Sequence, residues 1–316
     1  MWKFILKRIL MMIPVLLGVI FVVFFIMSLS PANPAQLILG DGATPESIAE
    51  LEEELGLNDP FLIRYANYVR DLLRGDLGLS YKNRLSVSAQ IMERFPNTLL
   101  LAVASMVLAL VLGIPLGILS AKHQNKLVDN VTMVGALVGI SMPLFWLGLL
   151  LVIVFSVVLG WLPSSGLNTE SLWAVVKSMI LPTITLATLP TAMITRMTRS
   201  SILEVIRQDY IDTARSKGVD EHVITVQHML RNALIPIITI AGLQFGSLLS
   251  GAILTETVFS WPGIGRLTVE AIKMKDAQTC LGCVVFLSIM FSLVNLIVDV
   301  LYAFVDPRIK SRYRGK

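Results

Sequence analysis

Charge is what this sequence has little of. Only 15% of its 316 residues are Asp, Glu, Lys or Arg, where a soluble domain carries about 25%. With 55% hydrophobic residues and a mean hydropathy of +0.74, the chain falls outside the soluble globular class. Its two cysteines, Cys280 and Cys283, cannot build a disulfide framework. As a lone CxxC, without further ligands or a thioredoxin-like setting, they read as small packed residues rather than a metal or redox centre. The three histidines, His123, His222 and His228, lack ligand spacing. No GxxxxGK[ST] phosphate loop exists, the only Gly-Lys pair being Gly315-Lys316 at the terminus. No basic stripe with interleaved aromatics is present, so nucleic acid is not an expected partner. Neither a low-complexity segment nor the paired interrupted spans of an inverted-repeat transporter can be seen.

What the sequence does have is long apolar runs. Six are long enough to cross a bilayer, which takes roughly 20 helical residues: Ile9–Leu29, Thr98–Ala121, Val131–Leu159, Met179–Met197, Leu234–Val258 and Thr279–Val305. Pro14, Pro115, Pro143, Pro182 and Pro190 fall in or near them, where kinked helices survive because neighbours re-satisfy the freed carbonyls. The fold class expected is an all-α polytopic membrane protein. Its parts are an N-terminus with the first span (1–29), an extramembrane loop (30–96), a five-helix membrane domain (97–305) and a basic tail (306–316). The first apolar run exceeds the roughly 7 to 15 residues of a signal-peptide core and reads as a retained span.

Basic residues in short loops and tails set orientation. With the N-terminus inside, sixteen fall on the inner side (Lys3, Lys7, Arg8, Lys122, Lys126, six from Arg196 to Arg231, five from Arg308 to Lys316). The later outer loops hold four: Lys177, Arg266, Lys273 and Lys275. Both termini are therefore expected to be cytoplasmic. The loop 30–96, with ten acidic and six basic residues, becomes a water-facing cap, too small for an enzyme domain. It should hold helices over Ala43–Leu55, with Thr44 as N-cap and Pro45 at the first position, over Phe61–Leu73, and over Val87–Phe95.

Between the fourth and fifth spans the pattern changes. Ser201 with Glu204 forms a capping-box pattern, starting a helix that runs to about Lys217. Gly218 stands where a helix end wants a left-handed residue, and Asp220 is placed to cap a second helix. There Val219, Val223, Val226 and Leu230 form one apolar stripe. This hairpin (199–232) reads either as a pair of helices in the lipid headgroups or as a docking element.

Asp212-Thr213-Ala214, with Gly218 four residues later, resembles the EAA motif of ABC importer permeases, although Asp212 and Thr213 stand where that motif has Glu-Ala. The resemblance runs through ILKRILMMIPVLLGV (5–19), LLRGDLGLSY (72–81), RFPNTLLLA (94–102), LVLGIPLGILSA (110–121) and SMPLFWLGLLL (141–151). It continues in LGWLPSSG (159–166), DYIDTARSKG (209–218), ETVFSWPGIGRL (256–267) and LYAFVDPRIK (301–310), and is strongest to the dipeptide, oligopeptide and nickel permeases. It implies the type I ABC importer permease fold in a bacterial cytoplasmic membrane, with membrane lipid around it. The implied partners are a second homologous permease, two cytoplasmic ATPase subunits that bind ATP and Mg, and an extracytoplasmic binding protein. In this family the hairpin is the coupling helix, which puts Asp209, Tyr210, Asp212, Ala214, Lys217, Gly218, Val219, Asp220, Glu221 and Val223 at the ATPase.

Weak hydrogen-bonding groups suit a path that must release its cargo. Thr188, Thr191 and Thr195 on the fourth span and Gln244, Ser247 and Ser250 on the fifth are the candidates, against the plainer reading that they bond their own carbonyls. Glu256 precedes the Trp261-Pro262-Gly263 turn, which the resemblance places over the outer end of the path. Gly242, Gly246 and Ser250 allow a close helix contact, within the bundle or with a second permease. Asp299, in the last span, is a structural ion-pair partner or, in an ion-coupled secondary transporter, a proton relay. Nickel chelate, glutathione or haem are the alternative cargoes within the family. No nucleophile, base or metal-ligand set marks an intramembrane enzyme.

Overall fold

A computed structural model describes residues 2–29, 33–40 and 42–305. The basic tail and the Asp299 side chain lie outside what it describes. Among the described residues the regular structure is helical, the only strand-like pairing being a bridge between Leu79 and Ser86.

The first helix, α1 (Trp2–Ser28), is followed by α2 (Pro34–Leu39), α3 (Pro45–Glu54) and α4 (Phe61–Leu73). In α3, Thr44 accepts from the Ser47 N–H and Pro45 opens the first turn, as the sequence predicts; α2 it does not predict. The aromatic face of α4 lies on α1. Phe61 and Tyr65 meet Phe21 edge-on, Tyr65 donates to the Leu17 carbonyl, and Tyr68 and Val285 are buried with Ile20.

The next helix is longer than expected. Val87–Phe95 is not a separate helix but the first turns of α5 (Val87–Lys122), capped by Ser86. At 1.5 Å per residue its 36 residues reach about 54 Å, well beyond a hydrocarbon core of about 30 Å. The protruding end, Val87 and Ile91, is buried against Leu77, Ile264, Leu267 and Cys283.

The third span is not one helix. It is α6 (Leu127–Ser141) followed by α7 (Leu144–Leu151), with a π-helical continuation Val152–Val158, and the two limbs meet at 103°. Pro143 explains the break, since it offers no N–H and pushes the preceding residue out of the helical region. Met142 is accordingly extended, with ψ 126°.

Helix α8 (Leu172–Val205) carries two prolines and swallows the expected capping box. Ser201 is buried in its interior, and the chain turns only at Gln208 (ψ 139°), before α9 (Asp209–Ser216). The short α10 (Glu221–Val223) runs through a π-helical stretch, Ile224–Leu230, into α11 (Arg231–Gly251). The second limb of the hairpin and the fifth span are thus one continuous rod, Glu221–Ser250. The span expected to reach Val258 ends at Gly251, and α12 (Ile253–Val258), α13 (Ile264–Lys273) and α14 (Ala277–Val305) follow. Five helices and the bent pair are long and apolar enough to cross a membrane.

The centre of the bundle is α5 against α8, and glycines set the spacing. A methyl on Gly117 would lie 2.7 Å from the Thr195 carbonyl, and one on Gly113 would lie 3.1 Å from that of Thr191. Gly242 and Gly246 face Val298 and Phe291 of α14, so their small-residue run is a contact within the bundle. Cys280 and Cys283 are buried and free.

Candidate functional site

The hairpin has the elbow that its sequence dictates. Gly218 sits at φ +73°, its N–H reaching the Arg215 carbonyl at 2.9 Å and that of Val219 reaching Ala214 at 3.2 Å. This double closure is a Schellman motif, which needs the left-handed residue between. Asp220 then accepts from the His222 N–H at 2.8 Å and from Val223 at 3.4 Å. Across the turn, Arg215 holds Glu221 at 3.0 Å and Asp212 at 3.5 Å. The Glu221 hydrogen bond raises the Arg215 pKa still further, so the cation is fixed. These groups are exposed, and each pair contributes no more than about 0.2–1 kcal/mol.

The apolar side of the hairpin is spent on its own bundle. Ile211, Ile224 and Met229 are fully buried, with Ala214, Val219 and Leu230 packed against the same core. The expected stripe fails at Val226, which is 45% exposed. In the π-helical stretch the repeat lengthens to i, i+5, so Ile224 and Met229 share the buried face instead. Ala214 and Val219 therefore anchor the hairpin, while Asp209, Tyr210, Asp212, Lys217, Gly218, Asp220 and Glu221 are left on its outer surface and Val223 is half-buried. Asn232 clasps the two limbs, donating to the Tyr210 hydroxyl at 3.0 Å and the His228 carbonyl at 2.7 Å.

The threonines of α8 lie along a cavity. Thr188, Thr191 and Thr195, with Leu112 of α5 and Gly135 of α6, line a space of about 630 Å³ between these helices. Thr188 and Thr191 donate to the carbonyls one turn back, Ile184 and Ala187, so they turn weak acceptors to the space and no charge lines it. Gln244, Ser247 and Ser250 are not brought here. Ser247 is exposed on α11, Gln244 is half-buried, and Ser250 bonds the Gly246 and Ser247 carbonyls.

Glu256 does not face the cavity either. It is fully buried, one oxygen accepting from the Thr98 hydroxyl at 2.7 Å and the other from the Arg266 N–H at 3.0 Å. Thr98 in turn accepts from the Ile264 N–H at 2.9 Å. Glu256 and Thr98 together cap the start of α13 from outside it, serving donors that a helix end leaves orphaned. Trp261, also fully buried, donates to the Asn97 carbonyl at 3.0 Å, and Asn97 donates back to Pro262 at 2.9 Å.

One feature of the hairpin end is not among the expected site residues. Asp129, 2% exposed, takes both forks of Arg199 at 2.6 and 2.7 Å, the Ser120 hydroxyl at 2.5 Å and the Asn125 N–H at 2.9 Å. A sequence signal for it exists. An arginine at the edge of a long apolar run calls for a partner, and Asp129 is the only acid between Glu93 and Glu170.

Because Gly218 has nothing within 4 Å of where a Cβ would sit, the cost of a side chain there is conformational alone, about 1–2 kcal/mol. Gly218→Val is expected to leave the spans inserted while straining the elbow and loosening the hairpin; Gly218→Ala is expected to be milder. Thermal unfolding of the purified variants checks this, and a Gly218→Val as stable as the wild type would mean that the elbow does not need its left-handed residue.

Residues 113–311 match the family described as the binding-protein-dependent transport system inner membrane component, and residues 1–102 match its N-terminal companion. The dipeptide transport system permease protein DppB of Alkalihalophilus pseudofirmus is 45% identical, covering 98% of this chain and 100% of the relative. The glutathione transport system permease protein GsiC of Salmonella choleraesuis is 44% identical over 99% of this chain. The DppB of Escherichia coli strain K12 is 40% identical over 99% of it. Among solved structures, the inward-facing MetNI methionine ABC transporter aligns with a TM-score of 0.57 at 19% identity. It covers 68% of this chain and 96% of the other, a likeness of fold.

Proposed function

The chain belongs to the family of binding-protein-dependent transport system inner membrane components, and we propose that it is the permease subunit of an ATP-driven importer of di- or oligopeptides. The observation that carries the reading is similarity to the dipeptide permeases from end to end, joined to a rigid hairpin whose polar face is unoccupied by its own bundle. The chain forms the path with a second permease, takes cargo from an extracytoplasmic binding protein, and leaves ATP and Mg to two cytoplasmic ATPase subunits. Both termini and the hairpin face the cytoplasm, supported by the excess of basic residues there. The hairpin is continuous with α11 and rooted in the core, so a push on its outer face reaches the spans without a flexible link. Gln244 and Ser247, on the open side of α11, face the second permease across the path.

The near-equal similarity to the glutathione permeases favours glutathione as a second cargo reading. Purification of the tagged chain from its native membrane separates the readings. A second permease and ATPase subunits should come with it, and peptide-loaded binding protein should stimulate ATP hydrolysis in the reconstituted complex. Stimulation by glutathione but not by dipeptides would reassign the cargo, and uptake driven by an ion gradient without ATP would overturn the importer reading. A cysteine replacing His222 should react with an impermeant reagent only from the cytoplasmic side.

A further inference from the structure

One ion pair lies just beyond the end of the cavity between α5, α6 and α8. At its end nearer the hairpin the cavity is lined by Leu116 of α5, Thr132 of α6 and Thr195 of α8. About one turn further toward the hairpin, roughly 4 to 6 Å along the helices, stand Ser120, Asp129 and Arg199. These three are bonded to one another, so three walls converge on one buried carboxylate.

The walls are not equally fixed. Helices α5 and α8 meet through Gly113 and Gly117 at backbone distance, a contact that cannot open without unpacking the core. Helix α6 touches α8 differently. Gly139 rests near Thr188 and Ala192, at 3.3 and 3.6 Å from where its Cβ would be, whereas Gly135 has nothing within 4 Å and looks onto the cavity. Between that light contact and Asp129, Thr132, Gly135 and Ala136 form the α6 wall of the cavity. Immediately beyond Gly139 lies the break at Met142–Pro143, where the chain bends by 103°.

We propose that α6 is the gate of this cavity, hinged at Met142–Pro143 and latched at its hairpin end by the Asp129–Arg199 pair. An ion pair suits a latch that must open repeatedly. Its attraction largely offsets the desolvation of its members, so exchanging the partner for water at the membrane edge costs no more than the loss of a charged hydrogen bond, whereas an unpacked apolar contact recovers nothing. Arg199 is already partly exposed, and it lies two turns before the end of α8, from which the chain enters the hairpin. A displacement of the hairpin moves Arg199 relative to Asp129, and that motion releases the latch. Asp129 and Arg199 are positioning residues here, acting through α6 rather than on the cargo.

The proposal rests on the reading that the α8 threonines line the path, and the test keeps the two apart. In the reconstituted complex, Thr191→Cys is probed with a charged methanethiosulfonate reagent from the hairpin side, the native cysteines being buried. The experiment is repeated with Asp129→Asn/Arg199→Gln, which keeps the shape and removes both charges. Modification is expected to be slow with the native pair and faster by about tenfold or more in the neutral one, the scale of a lost charged hydrogen bond. Ser120→Ala, a milder variant, should accelerate it by a smaller factor and covers the case of poor assembly of the double variant. Equal rates in all three backgrounds, with Thr191→Cys reactive from either side, would overturn the latch. A Thr191→Cys that transports normally yet reacts from neither side in any background would overturn the path reading and the latch with it.

Discussion

Arg199→Leu is expected to cost the protein about 3–5 kcal/mol, the usual price of leaving one member of a buried ion pair behind. The remaining Asp129 is 2% exposed, and the two bonds it keeps, from Ser120 and the Asn125 N–H, do not replace a bidentate guanidinium. Asp129→Leu should cost less. The stranded Arg199 side chain is 24% exposed, and its long stem can carry the charge to water at the membrane edge. The neutral double variant Asp129→Asn/Arg199→Gln should fall closer to the wild type than either single change, because it strands no charge. Against a stability of about 5–15 kcal/mol, the first loss alone should halve the membrane level or worse. Thermal unfolding of the detergent-solubilised complexes measures the ranking. Equal stability for Arg199→Leu and Asp129→Leu would mean that the burial asymmetry does not govern this pair.

The elbow is legible in the sequence and the Asp129–Arg199 pair is not. The elbow is local. Gly218, Asp220 and Arg215 lie within six residues and their roles follow from helix-end geometry. The Asp129–Arg199 contact joins residues 70 apart, and no periodicity links them. Arg199 lies just past the fourth apolar run and so reads as part of an inner loop, whereas α8 continues through it as far as Val205. The same distinction runs through the fold. Apolar runs located the five long apolar helices and the bent pair, in order, since a run of that length has few alternatives in lipid. The ends of the helices were less legible. Ser201 and Glu204 fit a capping box by spacing, yet they belong to the last turns of α8, where Ser201 and Ile202 are buried, and tertiary burial overrode the local signal. The lone Pro143 decided a 103° break, while Pro115 and Pro190 lie within helices that continue. What separates these prolines is the surrounding packing, which a single sequence does not display. The π-helical stretch is a further case. It moved Val226 to the surface by changing the repeat, and a 3.6-residue pattern cannot anticipate that.

Glu256→Ala is expected to collapse the corner at the loop end of the bundle. The reason is the number of separate pieces that converge on one side chain. Both carboxylate oxygens accept, from Thr98 and from the Arg266 backbone, so the ionised form is the one that satisfies these donors. The side chain also fills the space beside Gly263 and Gly265, where an added Cβ would collide with it. Truncation therefore removes two hydrogen bonds to a charged group, about 1.5–3 kcal/mol each, leaves buried donors unpaired, and opens a void between α5, α12 and α13. Glu256→Gln keeps the volume but turns one acceptor into a donor that faces another donor, so its effect should be intermediate. Gly265→Ala attacks the same corner from the other side, bringing a methyl to 2.6 Å from the Ile253 Cα, and overpacking against backbone costs at least about 1–3 kcal/mol. All three variants should lower the unfolding temperature of the purified complex, in the order Glu256→Ala and Gly265→Ala beyond Glu256→Gln, with transport falling in proportion to folded protein. Loss of transport at unchanged stability would instead return Glu256 to the translocation path, where its sequence position first placed it.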